Sequence, residues 1–449
     1  MWMRINPICY LFRDAFRGRH SLSPSYFLIY IIPVLFFIFL FFFPLNSSAQ
    51  DDRLILKDLI NEALKNNPEI LSAEAMTAAS GYKIPQARSL PDPMFMFGYQ
   101  NEGFQKYTLG KEQGAQWMFS ASQMFPYPGK LGLKGEMAQR DSESQGAMAS
   151  AVRLQVVAKV KTLYYELFLA YKNIDLLRDK TVLFSRIEDA AVARYASGMG
   201  LQQEVLMAQT EKYMLLEKEE MQKQKIQSIE AMLNATVGRD VNFPLGRPVE
   251  LSLTYSRSME EILSAAYQNS PEIKSKEKMI AAAEAKVKMA QKEYYPDFTI
   301  NAGYFKRAGE FLDMWSLTST INIPLFYKTK QRQGVLEAEA NLSAARHELE
   351  ATKFMISSGI RDNFSMYKSA EKLMELYRSG LIPKTYQDFE SAIAGYTSGK
   401  IEAITVISRL KTLIDLEISY WGQLVEREKA MARFEAIAGT LASGPEVQR

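Results

Sequence analysis

Cysteine is all but missing: the 449 residues hold one, Cys9. Histidine occurs twice, at His20 and His347. The chain opens with Arg4, Arg13, Arg17 and Arg19, then an apolar run from Tyr26 to Leu45, then Ser47-Ser48-Ala49. That order reads as a secretory signal peptide, residues 1–49, with cleavage before Gln50. The alternative is an uncleaved membrane anchor, against which Pro33 and Pro44 within the run and the cleavage-like triplet count. Removal of the signal peptide takes Cys9 away, so the mature chain has no thiol, no disulfide and no cysteine metal ligand. Residues 1–49 carry four of the 54 Lys and Arg and one of the 51 Asp and Glu, which leaves 50 of each and no net charge. A neutral chain offers nothing to a polyanion, so nucleic acid is excluded as a partner. After Leu45 no stretch is long and apolar enough for a membrane helix, so any insertion in a bilayer must use strands. His347 is followed by Glu348, but its i+4 neighbour is Ala351, which rules out a zinc helix. No phosphate-cradling glycine loop, no G-x-S-x-G and no Cys–His pair occurs. Neither an enzyme nor a cofactor or resident metal is expected.

Proline is absent from Lys130 to Gly198, and no helix breaker stands between Ala147 and Ala196. Apolar residues recur there at spacings of three and four: Val160, Leu163, Leu167, Ala170, Ile174, Leu177. This is a coiled-coil seam. A helix over 131–196 would be a rod of roughly 100 Å at 1.5 Å per residue. It should stop at Gly198, where glycine can take a left-handed turn, and return as a helix over 201–237.

The chain then repeats itself. Asn66-Asn67-Pro68-Glu69-Ile70 corresponds to Asn269-Ser270-Pro271-Glu272-Ile273, Pro93 and Phe95 to Pro296 and Phe298, and Trp117 and Pro126 to Trp315 and Pro324. Tyr195 and Gly198 correspond to Tyr396 and Gly399, and Leu233 and Gly238 to Phe434 and Gly439, all in one order at a near-constant offset. Each repeat predicts a short helix (55–66; 257–269), then an alanine-rich helix (69–90; 272–293) that Asn67 or Ser270 can cap, with proline at its first position. The second long helix is expected over 329–396, with a seam of Ala345, Leu349, Thr352, Ile356, Met366, Ala370 and Tyr377, and its return over 400–438. Pro383 stands where the first repeat has Val182 and should kink it.

Between the helices lie two strand pairs, 94–101 with 115–124 and 297–305 with 314–323. Phe95, Phe97, Tyr99, Trp117, Phe119, Phe298, Ile300, Tyr304, Trp315 and Leu317 alternate with polar, small or methionine residues. Strands of nine or ten residues match the roughly 9–11 that cross a bilayer at a tilt, which makes these ten side chains the expected lipid face. Four strands cannot close a barrel, and lipid does not tolerate open edges. The fold class that follows is mainly α with a transmembrane β-barrel, in which copies pool their strands. A trimer gives twelve strands. The expected domains are a first repeat at 50–238, a linker at 239–257, a second repeat at 258–440 and a disordered tail at 441–449.

This order resembles the TolC-like outer membrane efflux protein family over residues 51–440. The resemblance is carried by Asn66-Asn67-Pro68-Glu69, Ala87-Arg88, Tyr195-x-x-Gly198, Leu233-Asn234-Ala235 with Gly238-Arg239, Pro271-Glu272, Ile382-Pro383 and Tyr396-x-x-Gly399. Phe125-Pro126-Tyr127-Pro128-Gly129-Lys130-Leu131 is similar to a segment of its heavy-metal branch. The resemblance implies a homotrimer, a twelve-stranded barrel in the outer membrane and a twelve-helix tube across the periplasm. The tube would be the passive exit duct of a tripartite efflux or type I secretion system. It would serve an inner-membrane transporter of the resistance-nodulation-division or ABC type through a periplasmic adaptor. It further implies that Gly198, Met199, Gly200, Leu201, Gly399, Lys400 and Ile401 form the adaptor-docking tip. Glu204 and Glu402 are its aperture candidates, with Thr405 and Ser408 in positions that are often acidic. The alternative is a periplasmic coiled-coil adaptor or structural protein, but that class carries one helical hairpin flanked by compact β domains, and this chain has two hairpins. The strand methionines, Met94, Met96, Met118, Met124 and Met314, read first as filling residues, although thioethers can bind Cu(I).

Overall fold

A computed structural model describes residues 53–249 and 258–439. The expected signal peptide, the linker segment 250–257 and the tail 441–449 lie outside those residues.

Each half of the chain runs through the same elements. The first holds α1 (Leu56–Asn66), α2 (Pro68–Arg88), β2 (Met94–Gln100), β3 (Gln116–Phe125), α3 (Lys130–Ala196) and α4 (Gln202–Val237). The second holds α5 (Met259–Asn269), α6 (Pro271–Lys292), β5 (Asp297–Lys306), β6 (Met314–Asn322), α7 (Gln331–Leu376), α8 (Ile382–Thr397) and α9 (Ala403–Ala438). Two short strands, β1 (Arg53–Leu54) and β4 (Arg247–Pro248), pair in parallel. The Tyr164 hydroxyl ties them to α3, lying 3.0 Å from the Leu54 carbonyl and 2.8 Å from that of Val249.

The long helix α3 is the axis of the packing. It lies against α2 and α4 of its own repeat and against α6 and α9 of the other. All six residues of its expected seam are buried. Three apolar clusters follow the helices. One joins α1, α3 and α4 with Leu424 and Val425, one joins α3, α4, α8 and α9 near the hairpin ends, and one joins α5, α6, α7 and α9.

Helix ends are set by local chemistry. The Asn67 side chain accepts from the N–H groups of Glu69 and Ile70 and donates to the Thr236 carbonyl at 2.7 Å. It thus caps α2 and anchors the end of α4. Ser270, expected to do the same for α6, makes no side-chain cap bond. Gly238 and Gly439 end α4 and α9 with φ of 82° and 73°. A Cβ at either would meet the carbonyl of Asn66 or Asn269 at 2.6 Å, so both repeats need glycine here for the same reason.

Two expectations for the second repeat are corrected. Its long helix is not continuous: a π turn, Tyr377–Leu381, separates α7 from α8, and Pro383 sits in the first turn of α8. Pro383 offers no N–H to the turn before it, and a widened turn absorbs the lost bond. One position of its seam is also displaced by one residue, while Thr352, Ile356 and Ala370 are buried as expected. Met366 is 45% exposed, whereas Tyr367 is buried edge-on against Phe434 and donates to Glu371 at 2.7 Å.

Candidate functional site

The four longer strands form one antiparallel sheet in the order β2-β3-β5-β6. Its register brings the aromatic and aliphatic residues of the strands, Phe305 apart, onto one face. Phe97 pairs with Phe119, Phe119 with Tyr304 and Tyr304 with Trp315; Phe95 pairs with Ala121, Ala121 with Ala302 and Ala302 with Leu317. The rings touch across strands: Phe97 stacks on Trp117 at 5.3 Å, Tyr99 meets Trp117 at 4.9 Å and Phe125 stacks on Phe298 at 5.6 Å. All ten residues expected to face lipid lie on this face. It is also largely exposed in the subunit. Phe95 is 81% and Trp315 80% exposed, and along β5 every apolar position from Phe298 to Tyr304 is open while Thr299, Asn301 and Gly303 are half-buried. A soluble sheet would bury its aromatic face; this one presents it, as a membrane strand does.

Strands β2 and β6 are the sheet edges, and among the described residues the outer side of each has no partner strand. Beyond β5, the loop to β6 is fixed by Asp313. Its carboxylate accepts from the Tyr304 hydroxyl, the Arg307 N–H and the Lys306 ammonium. The Tyr304 bond first, then the other two, hold it down at about 2.

At the other end of the strands, the Phe125–Leu131 segment joins the two repeats. Lys130 is buried and its ammonium lies 2.9 Å from Asp297, 3.3 Å from Glu293 and 3.3 Å from the Tyr295 carbonyl. The Tyr127 N–H donates to the same Asp297 oxygen at 2.7 Å, and Tyr127 stacks on Tyr295 at 4.5 Å. Gly129 starts α3 with φ of 94°. One lysine therefore fixes the start of the first long helix to the first residue of β5.

The hairpin ends are built alike. Ser197 and Ser398 close α3 and α8, and Gly198 and Gly399 follow with φ of 71° and 77°. In each turn the next N–H reaches back to the helix: Met199 to the Arg194 carbonyl and Lys400 to that of Gly395, both 2.9 Å. This is the paired-bond glycine stop. Met199, Leu201 and Lys400 are exposed, and Gly200 is partly covered. Ile401 is half-buried, because the absent side chain of Gly395 leaves it a seat.

One contact set at these ends was not legible from the motifs. Arg194, on the first hairpin, lies over the Tyr396 ring at 4.8 Å and donates to the Tyr396 and Met199 carbonyls. Tyr396, on the second, is fully buried and donates its hydroxyl to Glu204 at 3.0 Å. Burial first, and then the Glu204 carboxylate, push that hydroxyl up to about 12, so it stays a donor. Glu204 is thereby tied to the neighbouring hairpin. Glu402 is exposed and makes no cap bond; Thr405 is half-buried and Ser408 exposed. The repeat gave one signal for this asymmetry: Arg194 corresponds to Gly395, so only one hairpin can supply the guanidinium.

The charged residues of the body are paired or spread. His347 is exposed beside Glu350, and among the described residues no group of three His, Cys, Asp or Glu side chains could hold a metal. No described helix is long and apolar enough to cross a membrane.

The profile of the family described as "Outer membrane efflux protein" matches residues 59–239 and 262–408, one segment in each repeat. The chain is 21% identical to the cobalt-zinc-cadmium resistance protein CzcC of Cupriavidus metallidurans over 88% of its length and 92% of the relative's. It is 23% identical to the nickel-cobalt-cadmium resistance protein NccC of Alcaligenes xylosoxydans xylosoxydans, over 70% of each. Among solved structures, the transmembrane channel CusC superposes with a TM-score of 0.74 at 15% identity, over 86% of this chain and 92% of that one.

Proposed function

Because the chain belongs to the outer membrane efflux protein family, it is an efflux channel of the outer membrane that reaches into the periplasm, and we propose that three copies close one barrel. Channels of this family are ducts that work with a periplasmic adaptor and an inner-membrane pump. The observation that carries the trimer is the bare apolar sheet with two open edges. In lipid those edges must be paired. The simplest closure sets β6 of one subunit beside β2 of the next, giving twelve strands above and two helical hairpins per subunit below. The outward face is then the ten-residue aromatic and aliphatic set, and the polar face lines the bore.

The hairpin ends are the docking tip. Gly198, Gly200 and Gly399 set the turns, Ile401 braces one of them, and Met199, Leu201 and Lys400 are the side chains an adaptor meets. Glu402, with Thr405 and Ser408 further along α9, faces the aperture, where three symmetry-related carboxylates would repel one another and attract cations. Glu204 instead acts as a latch with Tyr396, holding the two hairpins of a subunit together.

The cargo is proposed to be metal cations, taken from inner-membrane transport of the resistance-nodulation-division type. The names of CzcC and NccC support this, as does the Pro-Gly-Lys segment, whose lysine joins the repeats. The test is a deletion strain complemented with variants. Gly399→Pro or Lys400→Glu lowers cobalt, zinc or cadmium resistance while trimer yield in the outer membrane stays constant. Unchanged resistance refutes the docking role, and resistance to drugs alone refutes the cargo.

A further inference from the structure

The inner face of the sheet carries an unusual set of apolar residues. Apart from Phe305, every apolar side chain larger than alanine on that face is methionine: Met94, Met96, Met118, Met124 and Met314. The outer face has phenylalanine, tyrosine, tryptophan, isoleucine and leucine and no methionine at all. Bulk apolarity does not explain the split, since leucine and isoleucine serve that need on the outer side. The sulfur is what the inner face has and the outer face lacks.

The register places these residues in sequence along the strands. Met94 pairs with Ser122, so Met124 is its diagonal neighbour; Met96 pairs with Ser120, so Met118 is its diagonal neighbour. Each step, diagonal or along β2, spans about 7 Å between Cα atoms. A methionine arm covers half of that, so neighbouring sulfurs can converge on one ion. The Met118 methyl group lies over Gly98, at 3.3 Å from where a Cβ would stand. Its row continues through Phe305 to Met314, which reaches the loop end of the sheet. From Met124 to Met118 the ladder covers about 20 Å of strand. Met94, Met96, Met124 and Met314 are exposed in the subunit, and their inner-face neighbours are mostly Ser, Thr and Asn.

We propose that these methionines form a thioether ladder in the barrel bore that binds soft monovalent cations of the Cu(I) or Ag(I) kind, a class the duct carries beside the divalent cations proposed above, which pass the ladder unbound. Neutral thioethers select soft cations over the harder divalent ions. They also hold them without the charge of a thiolate, and conduction needs sites weak and numerous enough to release the ion again. The mature chain has no cysteine and a single histidine to compete. The inference rests on the barrel reading, in which this face lines the bore.

The test uses the full mature trimer in detergent, chloride-free, with silver nitrate as probe. Wild type binds Ag(I) in the micromolar range, and Co(II) does not displace it. The triple variant Met94→Leu, Met96→Leu, Met118→Leu weakens binding about tenfold or more, while Met214→Leu with Met221→Leu, both exposed on α4, does not. Should the triple variant fail to assemble, methyl-labelled wild type gives the same answer: strand methionine resonances move on Ag(I) addition, and helix methionines stay. Equal affinity in the triple variant, shifts confined to helix methionines, or no binding by wild type overturns the ladder. Conductance of the same preparation in a planar bilayer separates the two readings. A conducting channel without strand-methionine binding sinks only the ladder; a preparation that never conducts sinks the barrel.

Discussion

Single residues decide more in this chain than their number suggests. Glu428 is buried on α9 next to Arg427, Tyr165 and Glu435, and Lys161 pairs with Glu435 at 2.6 Å. Burial raises Glu428 above the ordinary carboxylate range, and Arg427 only partly offsets it. A raised acid leaves the folded state unaffected below its unfolded value; it costs stability as pH climbs through the folded value, because the ionised form is penalised. Glu428→Gln should therefore raise the thermal midpoint near pH 8 and lose that advantage near pH 4. An equal gain at both pH values would contradict the burial argument. Gly238 makes the opposite kind of claim. With φ of 82° and the Asn66 carbonyl at 2.6 Å from a Cβ, Gly238→Ala should cost about 1–3 kcal/mol. A denaturation midpoint unchanged from wild type would contradict it. Its role was legible in part, since Gly238 and Gly439 recur after matching residues; the carbonyl that each one avoids was not.

Among elements, those with strong local signals were legible and those set by distant partners were not. The absence of proline and glycine from 147 to 196 foretold α3, and strict alternation foretold β5 to within a residue at its end. The Met366–Tyr367 exchange was out of reach, because it depends on Phe434 lying opposite. So was the link from Arg194 and Tyr396 to Glu204, which joins residues about 200 positions apart. Tyr396→Phe removes the donor and frees Glu204, so single-channel conductance should rise while the trimer persists. An unchanged conductance would show that the latch does not restrain the tip. The break in the second long helix was half legible: Pro383 announced a fault, but its form depends on how the preceding turn relaxes. Pro383→Ala restores an N–H within reach of the Ser379 carbonyl. Amide exchange over 376–386 should slow, and exchange as fast as wild type would place the cause of the π turn elsewhere.

For the whole molecule, the sheet is the part that cannot stand alone. Four strands carry an exposed aromatic face and two unpaired edges, while the helices beneath them already have buried cores within one subunit. Helix packing therefore holds the subunit together, and in the barrel proposed above lipid and neighbouring subunits complete the sheet. The sequence contains four tryptophans, Trp2, Trp117, Trp315 and Trp421. Trp117 and Trp315 lie on the sheet, Trp421 packs on Phe168 in the helical body, and Trp2 falls in the expected signal peptide. In a Trp421→Phe background, brominated lipid should quench the two sheet tryptophans strongly. The unboiled protein should migrate on a gel as an oligomer that heating dissolves. The two readouts fail separately. Quenching without a heat-sensitive oligomer would mean that the outward face is right and the closure wrong. An oligomer whose tryptophans ignore the lipid would mean that the aromatic face is an interface between subunits, and the bore would then need another lining.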